Sequence, residues 1–273
     1  MTVTGRPPVR FDGAAVHFGA RTLWRDLTFE VERAEFLAVL GPNGSGKTTL
    51  LKVLLGQQPL SAGTVEVAGS PPRRGSRHIG YIPQQRAFDP DLPVRARDLV
   101  RFGLDGHRAG LLGGRSARSK VDAALAAVGA TSFADAPIGT CSGGEQQRLR
   151  VAQALLGDPD LLLCDEPLLS LDPGQTHAVT ALIDSRRRQG TTVVFVTHEI
   201  NPILAYVDRV LYLVGGRWSI GDPSGVLTSE TLTGLYGVPV EVLRVGERIV
   251  VVGPEEGAGS GGHHHHPPAE VGG

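Results

Sequence analysis

The most constraining feature of this 273-residue chain is an eight-residue run, Gly41-Pro42-Asn43-Gly44-Ser45-Gly46-Lys47-Thr48, set between two segments of different periodicity. Phe36 to Leu40 before it is short and wholly apolar, as a buried strand is; Lys47 to Leu55 after it has the spacing of a helix. Glycines at 41, 44 and 46 let the backbone curl closely around an anion, and successive N–H groups together with a helix N-terminus supply positive potential. A glycine-rich turn with an incidental lysine is the bland alternative, but the full order of strand, loop and helix argues for a phosphate cradle. In such a cradle Lys47 reaches phosphate oxygens as a point charge, and the Thr48 hydroxyl is placed to ligate Mg²⁺.

The rest of the chain has a matching rhythm. Short aliphatic or β-branched runs recur at Ala14 to Phe18, Phe36 to Leu40, Thr64 to Val67, Ile79 to Ile82, Leu161 to Cys164, Thr192 to Val196 and Val210 to Val214, each bounded by glycine, proline or polar residues. Helical stretches fall between them at Lys47 to Leu55, Glu145 to Leu156, Gly174 to Arg188 and Glu199 to Tyr206. Strands alternating with helices predict an α/β fold with a largely parallel sheet covered on both faces. Residues 85 to 139 break the rhythm with an apolar-periodic segment from Val94 to Phe102, a Gly/Arg-rich stretch from Leu104 to Arg118 and an alanine-rich helix from Lys120 to Val128. That region reads as an inserted helical subdomain, a surface excursion without a role being the alternative. From Arg217 onward the pattern is short strands and turns, ending with strands at Glu241 to Arg244 and Arg248 to Val252.

Composition narrows the function. With 27 basic and 28 acidic residues the formal net charge is −1, so no global field favours nucleic acid. The two cysteines, Cys141 and Cys164, show neither metal-ligand nor disulfide spacing, which points to a reducing, intracellular protein. The N-terminus lacks the apolar core of a secretory signal. Apolar runs fall far short of the roughly 20 residues that cross a bilayer as a helix, so any membrane role is expected to come through a partner.

Two further motifs flank the middle of the chain. Leu161-Leu162-Leu163-Cys164-Asp165-Glu166-Pro167 ends an apolar strand on two carboxylates, at the crevice where open α/β sheets bind ligands. Cys141-Ser142-Gly143-Gly144-Glu145, followed by Gln146-Gln147-Arg148, opens a helix and forms a second anion-binding N-terminus. Together with the loop at 41 to 48, these resemble the Walker B, signature and Walker A motifs of the ATP-binding cassette (ABC) ATPase family. The resemblance implies a P-loop NTPase fold: a mostly parallel sheet core with an antiparallel β subdomain and an inserted helical subdomain. It places one cassette over residues 8–252, with the RecA-like core and β subdomain at 8–84 and 158–252 and the signature-bearing helical subdomain at 85–157. Residues 253–273, rich in Gly, Pro and His, are expected to be a disordered tail.

The resemblance also implies roles. Gly41, Pro42, Asn43, Gly44, Ser45, Gly46, Lys47, Thr48 and Thr49 bind ATP; Thr48, Asp165 and Gln84 hold Mg²⁺. Glu166 is the general base that orients the attacking water, Gln84 is the Q-loop glutamine beside a solvated Gln85, and His198, just past a buried strand, is the switch histidine. Asp172 matches the D-loop aspartate, although Leu169 stands where the family more often has serine. Phe18 either stacks on adenine or is a core phenylalanine of its strand. Cys141 and Glu145 depart from the commonest leucine and glutamine; Cys141 is small enough to pack, and Glu145 suits a first helical turn.

One chain cannot use both anion sites on one ATP, and the family resemblance implies that Ser142, Gly143, Gly144 and Glu145 meet the nucleotide of a second ATPase subunit, in a head-to-tail homodimer. Without sustained heptads, a second cassette or membrane helices, the chain is most similar to a free-standing importer cassette. Its segment Ile79 to Val100 looks like zinc or manganese uptake systems. That implies an integral membrane permease, an extracytoplasmic substrate-binding protein, and a place on the cytoplasmic face of the plasma membrane, with no nucleic-acid partner. An exporter cassette, an importer for another substrate, and a soluble nucleic-acid-linked ATPase are the alternatives. His263 to His266 is either a native tail able to hold a transition metal weakly or a purification tag.

Overall fold

A computed structural model of the chain describes residues 6–85, 87–105 and 115–253. In chain order the elements are β1 (Val9–Phe18), β2 (Arg21–Val31), β3 (Phe36–Leu40), α1 (Lys47–Leu54), β4 (Ala62–Val67), β5 (Ile79–Ile82), α2 (Ala96–Asp105), α3 (Arg115–Ala127), α4 (Gly143–Leu155), β6 (Leu161–Asp165), α5 (Pro173–Arg188), β7 (Thr192–Val196), β8 (Arg209–Val214), β9 (Arg217–Gly221), α6 (Pro223–Val226), α7 (Ser229–Tyr236), β10 (Glu241–Val245) and β11 (Arg248–Val252). None of these helices is long and apolar enough to cross a membrane.

The central sheet runs β5-β6-β7-β3-β8-β9, parallel from β5 through β8 and closed by antiparallel β9. Every residue of β3, β6 and β7 is buried, because successive side chains point to opposite faces and both faces are covered. Phe36, Ala38 and Leu40 join one core with helices α2 to α5 and α7; Leu37 and Val39 join a second with α1, β1 and β2. That division explains why these strands read as unbroken apolar runs rather than alternating ones.

The second layer is an antiparallel sheet of order β2-β1-β4. Sequence reading finds only the end of β1 and misses β2, whose buried residues include Leu23, Trp24, Leu27, Phe29 and Val31. Phe11 of β1 binds the two strands together, stacked on Phe29 at 5.0 Å and edge-on to Trp24 at 6.2 Å.

Two expectations need correction. Glu199 to Tyr206 is a run of turns ending in one short 3-10 turn, Leu204–Tyr206, rather than a helix. Pro202 cannot donate a helical hydrogen bond, and Asn201 turns its amide to Ile249, donating to its carbonyl at 3.0 Å and accepting from its N–H at 2.8 Å. The region after Arg217 is not only strands and turns: Thr228 caps α7 by accepting from the Thr231 N–H, and Gly237, at φ 74°, ends it. Most of the Gly/Arg-rich stretch and the whole of 254–273, including His263 to His266, lie outside the described residues.

Candidate functional site: a phosphate cradle facing a strained carboxylate

The cradle stands where β3 hands over to α1. Gly41 (φ 138°) passes so close to β8 that a Cβ there would lie 2.0 Å from the Leu213 carbonyl oxygen. Gly46 (φ 99°) caps α1 in the left-handed region, directly over the Trp24 indole. Arg21 donates to the Gly44 carbonyl at 2.8 Å and braces the loop tip from β2. Lys47 is buried, and its ammonium donates to the carbonyls of Gly41 at 2.6 Å and Pro42 at 3.0 Å, so the cation sits within the curve of the loop. The Ser45 hydroxyl is buried without a hydrogen-bond partner in the loop.

The parallel register brings β6 two strands away from β3, and Asp165 at its end meets the first turn of α1. Thr48 Oγ1 donates to Asp165 Oδ1 at 3.1 Å. Burial pushes the Asp165 carboxyl above its ordinary range, and the Thr48 hydrogen bond partly offsets this. A hydroxyl and a desolvated carboxylate side by side, next to a phosphate cradle, form the oxygen donor set that suits Mg²⁺. The cradle's geometry, the buried Ser45 hydroxyl and this pair fit a Mg²⁺-bound nucleoside phosphate.

Glu166 follows in the left-handed region at φ 49°, a backbone costing a non-glycine residue on the order of 1 kcal/mol or more. Its N–H is held by the Val196 carbonyl at 2.9 Å. The turn aims its side chain, 13 % exposed, between two others: Gln84 Nε2 donates to Glu166 Oε2 at 3.4 Å, and His198 Nδ1 is 3.4 Å from Glu166 Oε1. Two adjoining clefts of about 610 and 480 Å³ share Asn43, Gln84 and Glu166. The smaller also contains Gly44, Gly46, Lys47, Thr48, Thr49 and Phe18; the larger contains Gly41, Pro42 and His198. Phe18 is 49 % exposed at the cleft mouth, so it is not a core residue.

Neither cleft is lined by Ser142, Gly143, Gly144, Glu145 or Asp172. Ser142 caps α4 in a reciprocal box, accepting from the Glu145 N–H at 3.3 Å while the Glu145 carboxylate accepts from the Ser142 N–H at 2.7 Å. Glu145 is therefore folded back on its own helix end. Cys141 is buried, with its thiol 3.7 Å from the Pro137 carbonyl, and burial pushes that thiol up. Asp172 accepts from the Gln175 N–H at 2.8 Å and caps α5.

Sequence reasoning missed three contributors. Arg21 and Trp24, which shape the cradle, sit on the unrecognised β2; the apolar alternation of Leu27, Phe29 and Val31 was the available signal. Gln85 is not a solvated neighbour of Gln84: its Oε1 is buried without a partner and its amide nitrogen lies 2.4 Å from where a Cβ on Gly143 would stand. Farther along, the Phe88 N–H donates to Gln146 Oε1 at 3.3 Å and the Arg150 guanidinium lies 4.5 Å from the Phe88 ring centroid. The segment after Gln84 is thus laid along one face of α4.

A family model described as ABC transporter matches residues 24–169. The chain is 32 % identical to the manganese transport system ATP-binding protein MntB of Bacillus subtilis over 91 % of its length and 99 % of the relative's. It is 33 % identical to the zinc transport system ATP-binding protein TroB of Treponema pallidum (84 % of this chain, 86 % of the relative). To the hemin import ATP-binding protein HmuV of Rhodococcus jostii it is 36 % identical (88 % and 83 %). Among solved structures, a chain of an inward-facing ABC transporter described as of metal-chelate type superposes with a TM-score of 0.74 at 28 % identity, covering 90 % of this chain and 96 % of that one.

Proposed function

The chain belongs to the ABC transporter family, whose ATPases hydrolyse ATP to power transport, and from that premise we propose that it is the motor subunit of a manganese or zinc importer. The observation that carries the motor reading is Glu166, set between Gln84 and His198 and facing the cradle that Lys47 and Thr48 complete. In this reading Gly41 to Thr49 wrap the phosphates with backbone N–H groups, and the adenine stacks on Phe18. Thr48, Asp165 and Gln84 would hold Mg²⁺, which when bound would supply charge neutralisation on the phosphate oxygens. Glu166 accepts the proton of the attacking water, with Gln84 and His198 fixing its carboxylate.

Ser142 to Glu145 and Asp172 stand away from the clefts of their own chain, which supports their serving the nucleotide of a second copy. The two chains then close head to tail around two nucleotides, and release on hydrolysis supplies the stroke. A groove of about 660 Å³ between β5, α2 and α4, with Tyr81, Pro83 and Phe102 in its wall, is the proposed seat of a membrane permease at the cytoplasmic face. An extracytoplasmic binding protein completes the importer.

The substrate assignment rests on the segment Ile79 to Val100 and on the manganese and zinc relatives. Cells lacking the chain are expected to accumulate less radiolabelled manganese or zinc, with uptake restored by the wild-type chain and not by Glu166→Gln. Unchanged metal uptake together with lost growth on hemin iron would overturn the metal assignment and leave the motor reading intact.

A further inference from the structure

Antiparallel sheets with one open face normally turn polar residues outward. The β10–β11 hairpin instead carries mainly apolar residues on both faces. Val242 and Ile249 point inward and pack on the main core, while Leu243 and Val245 of β10 and Val250 and Val252 of β11 point out, Val245 being 65 % exposed. Among the described residues, four of the nine exposed large hydrophobic side chains, Leu243, Val245, Val250 and Val252, lie on this outer face. A two-stranded sheet is marginal by itself, and an uncovered apolar face on one marks an interaction surface.

The corners of the patch carry its specificity. Glu241 pairs across the hairpin with Val252, and Val245 pairs with Arg248, so the two charges occupy diagonally opposite corners of the outer face. Neither makes an ion pair among the described residues. A face with opposite charges on one diagonal is complementary to itself: turned over about a two-fold axis, Glu241 of each copy meets Arg248 of the other, with the apolar side chains enclosed between them. Val251, paired with Val242 on the inward side, and Gly253 line the same cleft as Gly41, Asn43, Glu166 and His198, so the hairpin's inward side borders that cleft and its outer face is turned away from it.

We infer that this outer face is a second contact between two copies of the chain, sheet against sheet, separate from the nucleotide clefts. The inference rests on the dimer reading above. It gives each motor a tether that does not depend on nucleotide contacts alone.

The test uses the full chain carrying Glu166→Gln, with ATP and Mg²⁺, and follows self-association by light scattering over a concentration series. Glu241→Arg or Arg248→Glu alone, and Val250→Asp alone, are each expected to weaken self-association about tenfold. Combining Glu241→Arg with Arg248→Glu is expected to restore it to within about threefold, which a folding defect would not do. A Glu166→Gln protein that stays monomeric overturns the dimer reading and this inference with it. One that dimerises equally with and without the reversals overturns this inference alone. Reversals that leave self-association intact but release the chain from permease-bearing membranes assign the patch to another partner and overturn the second-copy assignment.

Discussion

His198 Nδ1 lies 3.4 Å from Glu166 Oε1, while the other oxygen of the same carboxylate faces Gln84. The proposed general base is held from both sides and so oriented before substrate arrives, and its loss is expected to be separable from loss of binding. Glu166→Gln is expected to lower ATP turnover at least about 100-fold with nucleotide affinity retained, and His198→Ala about tenfold or more. Phosphate release and fluorescent-nucleotide binding measure the two. Turnover by Glu166→Gln at the wild-type rate would reject the base assignment.

The Thr48–Asp165 pair makes a metal prediction. Thr48→Ala and Asp165→Asn should each raise the Mg²⁺ concentration for half-maximal ATPase about 10- to 100-fold. Metal-free nucleotide binding, which rests on the loop backbone and Lys47, should change little. An unaltered Mg²⁺ titration in both variants would place the metal elsewhere.

Gly46 combines a left-handed backbone with contact to an indole. Gly46→Ala meets both the φ of 99° and Trp24, whose Nε1 would be 2.8 Å from the new Cβ; Gly190→Ala meets a φ of 111° with nothing within 4 Å. Strain alone is worth about 1–3 kcal/mol. Denaturant unfolding should show Gly46→Ala as the more destabilised, the difference reporting the Trp24 clash. Equal losses would mean that the indole moves aside freely.

Burial pushes the Glu35 carboxyl above its ordinary value, against the opposing pull of the Glu32 N–H at 2.6 Å and of Arg209. The folded value therefore exceeds the unfolded one, so this group favours folding most in acid and loses that contribution as pH rises through the folded value. Glu35→Gln has no such titration. Its stability relative to wild type should improve between about pH 4.5 and pH 7.5, read by urea unfolding at both ends; a flat or opposite trend would show that Arg209 dominates.

Legibility in the sequence followed the kind of interaction. Glycines, Lys47 and the ends of β3 and β6 were readable because local backbone needs select residue types at fixed spacing, and the site grew from those ends. Trp24 and Arg21 were not, since their work is done across layers, against Gly46 and Gly44, and nothing near them in sequence marks that partner. Gln85 looked like a spare copy of Gln84 until the fold put Gly143 against it. Glu199 to Tyr206 was misread because helical spacing was weighed above Pro202 and above the pull of Ile249 on Asn201.

The division of β3, β6 and β7 between two cores has a consequence for how this chain tolerates change. A substitution scan across Phe36 to Leu40 should find five intolerant positions in succession, with no every-second-residue relief, because each side chain belongs to one core or the other. Among these segments the loops at the strand ends are what packing leaves freest to change, and the proposed chemistry stands there. The segments freest to vary by packing are thus the ones least free to vary by function, so sequence differences among copies of this motor should collect in its outer layers.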